Sequence, residues 1–158
     1  MDLFKNVSMI NAAFGNPKGD PLAPDWKRIS DQSKNILDEY NELMDAIAAK
    51  DMTEVRDAIC DILVFTLGVG YIAGVPVNQD MDAVQVSNQS KFCGNDVEVA
   101  ETVKKYADLG VETYVDGEFP MKRVKSTHEQ TDLKGAIYRA NKMLKCVKFK
   151  EPVFAYLD

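Results

Sequence analysis

Cysteine is scarce in this 158-residue chain: Cys60, Cys93 and Cys146 stand far apart, with no CxxC pair. That spacing argues against a zinc site or a disulfide framework and suits packed thiols in a reducing compartment. Histidine is scarcer still. His128 is the single one and lies in the polar stretch KSTHEQTD, so Ser-His or Cys-His catalysis would rest on one surface residue. No apolar run approaches the roughly 20 residues needed to span a bilayer. The first residues, MDLFKNVSMINAAF, are amphipathic rather than basic and then apolar, which disfavours a secretory signal. The expectation is therefore a cytoplasmic protein with no membrane partner. Positive charge is also in deficit, with 19 basic against 25 acidic residues and a net charge of −6. Nucleic-acid phosphates repel such a surface, and an anionic small substrate would need metal ions or local lysines to bring it in. Repeats and low-complexity tracts are absent.

What is present is helical patterning, in a length suited to one domain. Asp2 can cap a first helix carrying Leu3, Phe4, Val7, Ile10 and Phe14, which ends near Gly15. GNPKGDPLAPD must be a loop. Trp26, Ile29, Ile36, Tyr40, Leu43, Met44 and Ile47 then trace one stripe of a second helix that stops at Lys50. Asp51 and Glu54 resemble a capping box opening a third helix, which Gly74 and Pro76 end. So short a turn forces the second and third helices into antiparallel contact. A fourth helix is expected over about 79–91 and a fifth from a cap at Asp96 to Leu109. VETYV-DG-EFPMKRV alternates around Asp-Gly and predicts a β-hairpin at 111–124. The lysine-rich tail that follows allows strand or extended structure. The expected fold is mainly α, an antiparallel helical bundle completed by oligomerisation, with a small hairpin in the C-terminal third. One domain is expected over 1–158: a helical catalytic core to 92, then a helix, the hairpin and a basic tail.

Carboxylates carry the chemistry. Asp38, Glu39 and Glu42 cluster on the second helix, where Glu39 and Glu42 share a face, and Glu54, Asp57 and Asp61 share one on the third. Like charges held close are unfavourable without something positive between them, and a hard divalent cation such as Mg²⁺ takes oxygen ligands. Acidic residues on helices are more often just solvated. Here Asp57 and Asp61 interleave with Ala58, Ile59, Cys60, Ile62 and Leu63, which places at least one at the edge of an apolar stripe.

From Phe14 to Lys91 the chain resembles the all-α nucleoside triphosphate pyrophosphohydrolase superfamily, the MazG-like and phosphoribosyl-ATP pyrophosphohydrolase-like proteins, in their small phage and bacterial forms. The matching features are AFG, the acidic DEYNEL, the helix DAICDILVF with Gly68 beyond it, and SNQSK at Ser87 to Lys91. The family signature is E-E-x-x-E, a gap, then E-x-x-D before an apolar run. Two departures stand out. Asp38 replaces the first Glu, and Ala58 occupies the position of the second motif's Glu, so Asp57 is taken to stand in for it. In the other register Glu54 and Asp57 supply E-x-x-D, and Glu54 is kept as a secondary candidate with capping as its rival role.

The resemblance implies hydrolysis of a nucleoside triphosphate to monophosphate and pyrophosphate, with Glu39, Glu42, Asp57 and Asp61 holding Mg²⁺, or Mn²⁺ in its place. Asp38 or Glu39 would serve as general base. Asn88 is assigned to sugar or base, Lys91 to phosphate, and Lys145 of the basic tail, with Lys142, Lys148 and Lys150 near it, to closing over the phosphates. A homodimer or homotetramer is implied, in the host cytoplasm if the gene is a phage's. The rival readings are hydrolysis of phosphoribosyl-ATP or another modified nucleotide, and a non-catalytic helical interaction module.

Overall fold

The computed structural model describes residues 2–154. The chain divides into two compact units, with the division after Gln79.

The first unit is three helices, α1 (Leu3–Ala13), α2 (Trp26–Ala49) and α3 (Met52–Ala73), and the start of α4 (Val77–Gln89). Aspartates open the first three, each oxygen taking a backbone N–H that the first turn leaves without a partner. Asp2 accepts from Lys5, Asp25 from Arg28, and Asp51 from Thr53 and Glu54. Only half of the expected capping box forms, because the Asp51 N–H donates to the Ala46 carbonyl and not to Glu54. Lys50 and Gly74 end α2 and α3 in the left-handed conformation. Two residues therefore join α2 to α3, and the helices pack side by side as a hairpin. Tyr71 and Ile72 are buried late in α3, where the Gly19 N–H donates to the Tyr71 carbonyl and the Tyr71 hydroxyl to the Asn16 carbonyl.

α4 starts two residues earlier than the sequence predicts and ends at Gln89, leaving Lys91 beyond it. Pro76 is the reason at the front end: its fixed φ suits a residue at a helix entrance, and its carbonyl accepts from the Gln79 N–H.

The second unit carries α5 (Asp96–Ala107) and short strands β1 (Thr113–Asp116), β2 (Arg123–Ser126), β3 (Gln130–Thr131), β4 (Ile137–Tyr138) and β5 (Met143–Leu144). The cap of α5 is Asn95, not Asp96. Its side chain accepts from the Glu98 N–H, while the Glu98 carboxylate returns to the Gly94 N–H and the Asn95 amide. The strands form an antiparallel sheet in the order β1-β2-β5 and a separate β3-β4 pair. The hairpin exists without the tight Asp-Gly turn, since Asp116 pairs with Arg123 and residues 117–122 form a wider loop. Asp116 is held there by Arg123 and Lys125, at 2.7 and 2.9 Å, and Pro120 has no N–H to give a ladder. The core gathers Cys93, Tyr106, Val111, Val124, Leu144 and Cys146.

Candidate functional site

The acidic residues belong to the α2–α3 hairpin. Antiparallel packing brings the level of Glu39 and Glu42 against that of Asp57 and Asp61, as the short turn between the helices predicts. Glu39 and Asp61 are half-buried; Asp38, Glu42, Glu54 and Asp57 are exposed. Ala58 is buried, so the motif position that lacks its Glu is a packing position, and the acid nearest it, Asp57, points to solvent.

The electrostatics identify Glu39 as the centre of the cluster. Partial burial and then the charges of Glu42, Asp61, Asp57 and Asp38 hold its carboxyl above the usual glutamate range. No ion pair among the described residues involves any of these five acids or Glu54. The donor set, oxygen only and uncompensated by lysine or arginine, has the chemistry a hard divalent cation takes. Among the described residues, however, no three His, Cys, Asp or Glu side chains are drawn together at metal-holding distances.

Two clefts flank the cluster. One, of about 330 Å³, is lined by Glu42, Asp45, Ala46, Ala49, Asp51 and Glu54. The other, of about 430 Å³, is lined by Thr53, Glu54, Arg56, Asp57 and Cys60. Asp45 and Arg56 are additions to the residues singled out from sequence. The i, i+3 relation of Asp45 to Glu42 is a signal that could have found the first. Nothing in the local pattern marks Arg56.

The remaining candidates belong to the second unit. Asn88 is in the last turn of α4, and the Lys91 ammonium donates to its side-chain oxygen at 2.7 Å, so the two residues of SNQSK assigned to substrate hold each other. Lys145 pairs with Glu151 at 2.9 Å and lies over the Phe149 ring. His128 is exposed beside Glu112 and Thr127. No single described helix is long and apolar enough to cross a membrane.

Comparison with known proteins supplies the frame for these features. A family model described as phosphoribosyl-ATP pyrophosphohydrolase matches residues 8–88, which span α2, α3 and the first two residues, Ser87 and Asn88, of SNQSK. The chain is 32% identical over 136 residues to an uncharacterized protein of Acanthamoeba polyphaga mimivirus, a match covering 84% of this chain. It spans 50% of that relative's length. No solved structure matches. With just over half of its length matched by the family model, the chain belongs to the phosphoribosyl-ATP pyrophosphohydrolase family, within the MazG-like all-α superfamily.

Proposed function

We propose that this chain is a Mg²⁺-dependent nucleoside triphosphate pyrophosphohydrolase, converting a (d)NTP and water to the (d)NMP and pyrophosphate. The observation that carries the reading is Glu39, whose carboxyl feels four other acids from two helices and no paired cation. Family membership supports a pyrophosphohydrolase in general terms.

Glu39, Glu42, Asp57 and Asp61 are the residues to hold the metal, with Mn²⁺ an expected substitute. When bound, such an ion supplies positive charge to the phosphates and lowers the pKa of a coordinated water. Glu39, half-buried in the acidic cluster, and exposed Asp38 are the two candidates for the general base. Water attacks the α-phosphorus, its proton passes to the carboxylate, and the bond to the bridging oxygen breaks to release pyrophosphate. Lys91 and Asn88 would exchange their mutual hydrogen bond for phosphate and for sugar or base, and Lys145 would leave Glu151 for a phosphate oxygen. Phosphoribosyl-ATP remains a second candidate substrate on the strength of the family's description.

The expected assembly is a homodimer or homotetramer. α2 has 24 residues, yet Ala46 is the only one of them buried, and Leu37, Tyr40, Met44 and Ile47 are exposed on it with Ile59, Leu63 and Val64 on α3. A second copy of the hairpin is a partner able to cover such a face and complete a four-helix core. Light scattering on the purified chain should therefore give twice or four times the 17.6 kDa of one copy.

Pyrophosphate release from a (d)NTP panel that includes phosphoribosyl-ATP, with and without Mg²⁺, tests the activity. Release should require the metal and fall sharply in Glu42→Gln and Asp61→Asn. Absence of metal-dependent release from every nucleotide would sink the reading, and release of phosphate would put the attack at the wrong phosphorus. Metal binding has its own readout. A ligand that binds only the folded chain at 100 times its Kd adds about 2.7 kcal/mol of stability, so Mg²⁺ should raise the thermal midpoint of the parent and leave that of Asp61→Asn nearly unmoved.

A further inference from the structure

In the core of the second unit two cysteines 53 positions apart meet: the Cys93 and Cys146 sulfurs are 3.2 Å from each other, and both residues are fully buried. That is closer than ordinary sulfur packing, and about 1.1 Å of approach would reach the bonded S–S distance of about 2.05 Å. Each backbone is anchored. Cys93 exchanges two hydrogen bonds with Lys122, at 2.8 and 3.1 Å, and the Cys146 N–H donates to the Lys91 carbonyl at 3.2 Å. The Thr102 hydroxyl lies 3.5 Å from both sulfurs, and a Glu98 carboxylate oxygen lies 3.9 Å from Cys146 Sγ. The pair thus has a fixed alignment, while the Glu98 carboxylate beside it is engaged by the Gly94 N–H and by Lys148.

We propose that Cys93 and Cys146 form a modification site, a dithiol that closes to an intramolecular disulfide and staples the end of β5 to the α4–α5 connection. Closure removes two protons and two electrons from the two thiols as the sulfur–sulfur bond forms. The acceptor is a two-electron oxidant of the diazene class, reduced to its hydrazine, or a glutathione disulfide, reduced to two thiols. Burial pushes the Cys93 thiol up to about 11, so it is a neutral thiol near pH 7 and closure is slow. The segments joined are those carrying Lys91 and Lys145, although the proposal stands apart from any enzymatic reading.

The test uses the full chain with exposed Cys60 changed to Ser, which removes the competing surface thiol. Native protein is treated with diamide, and intact mass and non-reducing peptide maps are recorded. The expected result is a loss of 2 Da, a cross-linked peptide pair containing positions 93 and 146, and a thermal midpoint higher by about 5 °C or more that dithiothreitol reverses. A chain that keeps both thiols under native oxidation, or that forms the bond only in denaturant, would overturn the proposal.

Discussion

A Glu39→Gln variant should lose pyrophosphate release by at least about 100-fold, the scale expected when a group that binds the metal or moves the proton is neutralised, and at the same time gain stability in metal-free buffer. The opposite signs are the point. The folded-state pKa of Glu39 is raised by burial and by Glu42, Asp61, Asp57 and Asp38. The fold therefore favours its protonated form: that contribution to stability is present below the ordinary glutamate value and is lost as pH rises through the folded value. At neutral pH the charge opposes folding, and glutamine removes it without removing the side chain's bulk. Melting metal-free parent and variant side by side from pH 4 to 8 isolates this, because the lowered acids, Asp2, Asp31, Glu98, Asp116 and Asp132, act in the other direction and equally in both proteins. The gap between the two midpoints should widen as pH rises. A variant that is less stable than the parent and still active would show Glu39 to be a structural residue.

Changing Gly19 to alanine should be strongly destabilising. A Cβ there would fall inside the carbonyl group of Ile72, on the last turn of α3, and backbone cannot move aside as a flexible side chain can. The loop is pinned on that spot by the Gly19 N–H to Tyr71 carbonyl bond at 3.1 Å. Gly74, in the left-handed conformation at the end of α3, lies close to the Gly19 carbonyl, so a Cβ there would meet it too. Relieving the clash means lifting the loop away and losing that bond, a cost of about 3 kcal/mol, or a midpoint lower by roughly 10 °C for a chain of this size. Gly15→Ala provides the comparison. Its Cβ would meet nothing within 4 Å, so it carries only the strain of its positive φ and should fall by much less.

Several elements were legible because their causes are local. An aspartate three residues before a free N–H, or a glycine where the chain must turn left-handed, acts within one helical turn, so the starts of α1, α2 and α3 and the end of α3 follow from their caps. Locality also explains the misses. Asn95 and Asp96 are both competent caps, and the choice of Asn95 came from Glu98 reaching back to Gly94. Asp-Gly at 116–117 signals a tight turn, yet Asp116 is claimed by Arg123 and Lys125 across the strand.

By itself, then, the sequence determined the helices, the acidic positions on two of them and the family resemblance, all written within a few residues of one another or in motifs that follow in order along the chain. Only the tertiary structure decided which acids act on Glu39, that Ala58 is a packing position, that Gly19 meets Ile72, and that Cys93 meets Cys146. Asp57 and Asp61 beside Glu39, Ile72 beside Gly19 and Cys146 beside Cys93 are juxtapositions across tens of residues, fixed by the path of the chain and the packing of whole elements.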